Sequence, residues 1–303
     1  MIRKLAGWYV DGNALVRGEP VSDIYGPTIA KRRLARRLTA LRTRTGLTAN
    51  QVCDKLSWGR GKVGRFENNS WKRPELSDIR DLLRAYQVPD DEYQELENLA
   101  LVARGRQWWR EYGDVFGDSE YPGYEADAVR ICLFMPLILP GLLQTPSYMR
   151  AQMSVGTQPP SWRERAVAAR LRRQELFERQ DGTVPELVAV ITEASLLYHW
   201  GSQAERRAQV EHLVEMSRRP NIQLRLVRFV DGLHHGMSSL FTIFDFPGDE
   251  PPLAYLENDA ELQEVNEPDK VAAYAAIFEQ IRNAALDAPA TTGHLKHLAD
   301  TLE

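Results

Sequence analysis

Residues 28–73 combine helical spacing of apolar residues with a dense block of positive charge. They hold thirteen lysines and arginines against two acidic residues, a local net charge of +11 in a 303-residue chain whose formal net charge is −4. Apolar residues lie between the cations at roughly helical spacing, which predicts an amphipathic helix. The phosphate backbone of nucleic acid is the commonest partner of such a block, and the alternative is a solvated helix face. The apolar stripe is Ile29, Leu34, Leu38 and Leu41.

The order of residues in this block predicts three helices. Gly46 ends the first helix. Thr48 stands three residues before Gln51, the spacing of a capping box that opens a second helix. A short turn at residues 57–59 leads into a third helix, predicted over residues 60–67. Two short helices joined by a tight turn after a longer helix form a helix-turn-helix.

The third helix is predicted to read bases, because it presents cations outward. An arginine bound through two hydrogen bonds to guanine is the commonest specific contact with DNA. Gly59, Gly61 and Gly64 count against a stable helix, since glycine in a helix interior costs about 1 kcal/mol relative to alanine. We therefore expect this helix to be weak when free. The candidate base-reading residues are Arg60, Lys62 and Arg65, with Thr48 and Gln51 beside them; the candidate phosphate contacts are Lys31, Arg32, Lys72 and Arg73.

The block resembles the Cro/C1-type helix-turn-helix regulators, the XRE family. The resemblance implies that the third helix lies in the major groove and that Glu67 pairs with an arginine of the fold rather than contacting a base. It also implies a homodimer, through a fourth helix ending near Pro89 and a fifth helix ending near Arg106. The matching residues are Leu41, Arg42, Gly46, Leu47, Thr48, Gln51, Leu56, Val63, Gly64, Arg65, Phe66, Glu67 and Pro74.

The chain from residue 107 onward mixes strand and helix patterns, which predicts an α+β domain with a small antiparallel sheet. The predicted domains are an N-terminal extension at 1–26, a mainly α helix-turn-helix domain of about five helices at 27–106, and a regulatory domain at 107–303. A helical stretch is predicted between 125 and 135, followed by a strand or extended piece at 136–145. The other predicted strands are 186–192, 222–230, 239–246 and 253–257; the other predicted helices are 146–153, 162–178, 202–218, 268–285 and 291–302.

Motifs along the second domain resemble one actinomycete group of such regulators, whose C-terminal domain of unknown function is called antitoxin-like or WhiJ-like. The strongest motif is Pro-Gly-Leu-Leu-Gln-Thr at residues 140–145, followed by Tyr148. The resemblance implies a transcription factor that is often paired with a small BldB-like protein. Thr192 stands where the group commonly has an aspartate before the glutamate at 193, which weakens any role for an acidic pair there.

The second domain is expected to control DNA binding, through a small-molecule effector or through a protein partner. Pockets use aromatic side chains with a few convergent polar groups. The alternative is that the tryptophans belong to the core and that Gln144 and Thr145 cap a helix. The candidate ligand-binding residues are Trp108, Trp109, Gln144, Tyr148, Arg150 and Glu193.

Catalysis, a metal and a cofactor are not expected. His294 and His297 are three residues apart, but no third ligand is placed to complete a metal site. Cys53 and Cys132 are expected to be buried thiols, and the absence of a long apolar segment predicts a cytoplasmic protein.

We expect a homodimer on double-stranded DNA with an inverted repeat. The alternative is the antitoxin-like half of a two-protein complex, in which DNA binding is autoregulatory.

Overall fold

The computed structural model describes residues 24–71, 73–257 and 262–302, which form two compact units. The first unit runs to Gln107 and also contains Pro247–Glu250; the second comprises Trp108–Phe246 and the chain from Pro251 onward. The sequence gives no sign that a four-residue segment so far along the chain belongs with the N-terminal helices. The predicted extension at 1–26 lies, up to residue 23, outside the described residues.

The first unit is made of helices, as predicted. Each of the five predicted helices is present, and the third begins two residues later than expected. The helices are α1 (Pro27–Thr45), α2 (Ala49–Lys55), α3 (Lys62–Glu67), α4 (Leu76–Ala85) and α5 (Asp90–Ala103).

Local chemistry sets the boundaries of the first two helices. Gly46 ends α1 in the left-handed region at φ 71°, and its N–H donates to the carbonyl of Thr43 at 3.0 Å. The predicted capping box opens α2: the Gln51 N–H donates to the Thr48 hydroxyl at 3.2 Å, and the Thr48 N–H donates to the Gln51 side chain at 2.8 Å. The apolar stripe of α1 is buried, which fixes the face that α1 turns toward the core.

The second unit is built on a six-stranded sheet in the order β3-β2-β1-β4-β5-β6. The α+β class is confirmed, but the sheet is larger than predicted and is mixed. β1, β2 and β3 pair in parallel, whereas β4, β5 and β6 add antiparallel neighbours. The parallel pairs are separated in sequence by long helical connections, which a parallel crossover requires. The strands are β1 (Arg130–Met135), β2 (Glu186–Thr192), β3 (Ile222–Val227), β4 (Phe241–Asp245), β5 (Leu253–Glu257) and β6 (Leu262–Val265).

Helices cover this sheet and supply the walls of the site described below. Phe278 and Ile281 pack with Phe134 and Phe241 in one hydrophobic cluster. Cys53 and Cys132 are free, buried thiols, as expected. No helix in the described ranges has the length and apolar character needed to cross a membrane. The helices are α6 (Gly113–Phe116), α7 (Tyr121–Asp127), α8 (Pro146–Ser154), α9 (Pro160–Gln174), α10 (Ala194–Leu197), α11 (Gln203–Met216), α12 (Pro268–Ala284) and α13 (Ala288–Thr301).

Candidate nucleic-acid interface and regulatory cavity

The α2–turn–α3 unit is held from inside by apolar residues and by one ion pair. Val63 and Phe66 of α3 are buried, and Trp71 lies against the Phe66 ring with a centroid distance of 5.3 Å. Arg42 donates to both carboxylate oxygens of Glu67, from Nε at 2.5 Å and from Nη2 at 3.0 Å. The predicted pairing of Glu67 with an arginine of the fold is confirmed, and it fixes the last residue of α3 to α1.

The three glycines occupy different positions around α3. Gly59 precedes the helix, Gly61 is its N-terminal cap at φ 83°, and only Gly64 lies inside it. The expectation that all three weaken the helix interior therefore needs correction. At Gly61 the left-handed backbone favours glycine, so this residue shapes the turn instead of weakening the helix.

Alanine substitutions at these two glycines are expected to have opposite effects. A Cβ at position 64 meets no atom within 4 Å, so Gly64→Ala should raise the free energy of unfolding by about 0.5–1 kcal/mol. Gly61→Ala places a side chain at positive φ and should lower it by about 1–2 kcal/mol. Denaturant unfolding of both variants tests this. Equal effects of the two changes would contradict the backbone assignment of the turn.

Several cations of the basic block have acidic partners on other helices of the first unit. Arg37 and Arg44 both reach Glu92, and Lys62 pairs with Asp78 at 2.7 Å while its ammonium lies 4.1 Å from the centre of the Trp58 ring. The block therefore has a smaller free charge than its composition indicates.

The Pro247–Glu250 segment neutralises a further part of the block. Asp249 accepts hydrogen bonds from Arg33, and the buried Glu250 carboxylate pairs with Arg32 at 3.2 Å and with Arg36. Burial raises the pKa of Glu250 even though three arginines act to lower it. For Asp249 burial also acts to raise the pKa, but its bonds with Arg33 prevail and lower it.

Lys31 and Arg32 are buried, at 3% and 7% exposure, which disagrees with their predicted role as phosphate contacts. The Lys31 ammonium lies 5.6 Å from the centre of the Trp71 ring, and Arg32 pairs with Glu250. A phosphate cannot reach a cation that the fold covers, so these two residues are not available in this arrangement. Lys72 lies outside the described residues.

The exposed cations of the candidate interface are Arg60, Arg65 and Arg73. Among the described residues their side chains have no hydrogen-bond or ion-pair partner. Thr48 and Gln51 are also exposed at the start of α2, although their side chains are engaged in the capping box. The structure thus leaves Arg60 in the turn before α3, Arg65 on α3 and Arg73 beyond it as exposed cations without a partner among the described residues.

The second unit contains a cavity of about 250 Å³. One face of α9 forms a wall of it, because Trp162, Ala166, Arg170 and Arg173 follow one another at spacings of four, four and three residues. The sequence analysis treated α9 only as a strongly charged helix and did not predict this face. The helical spacing of these four residues is the signal that indicates it. The other walls are residues 138–141, the C-terminal part of α8, and parts of α6, β1, β5 and β6.

Two arginines of this wall have different surroundings. Arg173 forms a two-fold ion pair with Glu125, from Nε at 2.6 Å and Nη2 at 2.7 Å. Arg170 instead donates from Nη1 to the side-chain oxygens of Gln144 and Gln152, both at 2.7 Å. The cavity therefore holds one neutralised arginine and one arginine that is bound only by neutral groups.

Family comparisons agree with this division of the chain. A model described as a helix-turn-helix domain matches residues 33–96, and one described as a domain of unknown function, DUF5753, matches residues 119–297. The chain belongs to the DUF5753 family. The predicted helix-turn-helix and the predicted C-terminal domain of unknown function are thereby confirmed. Neither the curated proteins nor the solved structures contain a match to the chain.

Among the six predicted ligand-binding residues, only Gln144 lines the cavity of the DUF5753 domain. Trp109 is buried, and Trp108 lies in an aromatic cluster beside it with a ring distance of 6.1 Å. Tyr148 accepts a hydrogen bond from the Leu139 N–H at 3.2 Å. Arg150 is exposed and pairs with Glu164 at 3.1 Å, and Glu193 accepts from the Phe229 N–H at 2.8 Å. The structure does not bring these six residues together into one site.

Proposed function

We propose that this protein is a sequence-specific DNA-binding transcriptional regulator of the Cro/C1 type, in which the DUF5753 domain senses a small molecule. The observation that carries the proposal is the selective exposure of Arg60 and Arg65 on a helix-turn-helix whose other described cations are largely paired or buried. Free guanidinium groups in the turn before the recognition helix and on its exposed face are suited to bind guanine in the major groove.

In this proposal each part of the first unit has one task. α3 enters the major groove, Arg60 and Arg65 contact base edges, and Arg73 contacts a phosphate and positions the domain. A homodimer places two copies of α3 on half-sites of an inverted repeat, about 34–36 Å apart. The paired arginines of α1 hold the fold together and do not contact DNA.

Binding to a labelled fragment from the region upstream of its own gene tests this function. We expect binding that withstands an excess of random competitor DNA. The logarithm of the binding constant should fall linearly with the logarithm of the salt concentration, with a slope of about −0.9 per phosphate contacted. An Arg150→Ala variant, changed at an exposed arginine of the DUF5753 domain, serves as the control and should bind equally well. Equal affinity for the fragment and for random DNA would contradict sequence-specific regulation.

A second candidate function is control by a small protein partner, the BldB-like partner that the resemblance implies, in an antitoxin-like complex. It is favoured by three apolar side chains exposed between β3 and β4: Phe229 at 65%, Val230 at 80% and Leu233 at 89%. Protein binding sites are a common reason for such exposure. Co-purification of a small protein with the wild-type chain, and its loss on Leu233→Asp, would favour this candidate over a small-molecule sensor.

A further inference from the structure

The cavity beside α9 is lined by apolar and polar side chains, among them Arg170, the ion-paired Arg173 and Glu257. Its apolar walls include Phe116, Met135, Met153 and Trp162, and methionine side chains adapt their shape to different ligands. The volume of about 250 Å³ lies just below the range of roughly 300–1,000 Å³ that is usual for drug-sized ligands. These dimensions favour a small ligand with an apolar body.

Arg170 is the arginine of this cavity that has no ion-pair partner among the described residues. No carboxylate of the described residues lies within 4.0 Å of its guanidinium, and its Nε and Nη2 groups have no hydrogen-bond acceptor among those residues. Glu257 also lines the cavity, but its side chain is exposed to solvent, and its charge raises the pKa of Arg170 by less than burial and Arg173 lower it. Burial, and then the neighbouring Arg173, lower the pKa of Arg170 to about 10, which means that its cation is poorly solvated.

The neighbours of Arg170 hold it in a fixed position. Gln144, which is 2% exposed, accepts from Arg170 and donates from Nε2 to the carbonyl of Leu139 at 2.7 Å. Gln174 donates to the carbonyls of Gly141 and Gln144 and so anchors this loop to α9. A guanidinium held in this way has lost its side-chain entropy before any ligand arrives, which favours binding.

We propose that this cavity binds a small monocarboxylate with an apolar body, whose carboxylate pairs with the Arg170 guanidinium and whose body lies against Phe116, Met153 and Trp162. A planar guanidinium matches a carboxylate through two parallel hydrogen bonds. Arg173 is already paired with Glu125 and Glu257 also lines the cavity, so a ligand with a single negative charge fits this site better than a doubly charged phosphate. This inference rests on the proposed role of the DUF5753 domain as a sensor and names the class of ligand that it senses.

Calorimetric titration of the full chain tests the site directly. The probes are hexanoate, octanoate and 3-phenylpropionate, each compared with its uncharged amide, and inorganic phosphate. We expect at least one carboxylate to bind about tenfold or more tightly than its amide, since a hydrogen bond between charged groups is stronger than one to a neutral group. Binding of phosphate as tight as that of the carboxylates, or no carboxylate binding at concentrations up to about 10 mM, would overturn the proposal.

Substitutions locate the binding. Arg170→Gln should remove the preference for carboxylate over amide, whereas Arg172→Gln, at an exposed arginine of the same helix, should retain it. Met153→Trp fills the cavity and should weaken the binding of the carboxylates and of their amides while leaving Arg170 in place. If Arg170→Gln fails to fold, this variant tests the site instead. A preference that survives both Arg170→Gln and Met153→Trp would place the ligand elsewhere and overturn the inference.

The effect of the probe on DNA binding separates this inference from the proposed function. Carboxylate binding that depends on Arg170 but leaves DNA affinity unchanged supports the site and contradicts the sensor role. Specific DNA binding by a protein that takes up no carboxylate supports the regulator and contradicts the site.

Discussion

Arg173→Met is expected to lower the free energy of unfolding of the DUF5753 domain by about 3–5 kcal/mol, because it leaves a buried carboxylate without its partner. The side chain of Glu125 is 2% exposed and that of Arg173 is 13% exposed. Burial acts to lower the pKa of Arg173, but the charge of Glu125 and their shared hydrogen bonds prevail and raise it. Arg173 also lies over the Tyr121 ring, with 5.3 Å between the guanidinium carbon and the ring centre.

Denaturant unfolding followed by circular dichroism measures this loss. Arg172→Met is the matched control on the same helix: that side chain is 49% exposed, pairs with Glu175 and lies 6.0 Å from the centre of the Trp108 ring, so its loss should change stability by at most about 1 kcal/mol. The double variant Arg173→Met with Glu125→Leu should recover most of the stability, since it buries no lone charge. A loss below about 1 kcal/mol for Arg173→Met would show that the pair is solvated and would contradict its buried placement.

Arg60→Ala is expected to weaken binding to the specific DNA site by about 1–3 kcal/mol, and binding to random DNA by much less. The reason is that Arg60 stands exposed in the turn that leads into α3, with no partner among the described residues. Arg65→Ala should behave in the same way, because Arg65 is the other exposed cation of this element.

Arg73→Ala is the contrasting variant in this experiment, because it lies beyond α3 and is expected to contact phosphate. It should weaken all DNA sequences about equally and reduce the salt slope by about 1. Competition of specific against random fragments at several salt concentrations distinguishes the two patterns. If Arg60→Ala weakened random and specific DNA equally, α3 would not be the element that reads bases.

Local signals in the sequence were sufficient to predict the helices of the first unit. Gly46 and the Thr48–Gln51 capping box act within one turn of the chain, so their effects can be read from neighbouring residues. The predicted helical stretch up to residue 135 and the predicted strand at 136–145 were wrong, since the strand is β1 at Arg130–Met135. This strand is buried on both faces and shows no alternation of polar and apolar residues, so its pattern does not distinguish it from a buried helix. The parallel pairing of β1, β2 and β3 likewise depends on crossovers that no local pattern encodes.

Helical periodicity, helix caps and local charge are properties of neighbouring residues, so a basic helix-turn-helix ahead of an α+β domain is predictable from the sequence alone. Which of those cations remain unpaired depends on the folded chain. Arg33 and Arg36 are paired with residues more than 200 positions away, at Asp249 and Glu250. An ion pair depends on the distance between two groups in space, so a count of charges along the chain cannot distinguish them from Arg60.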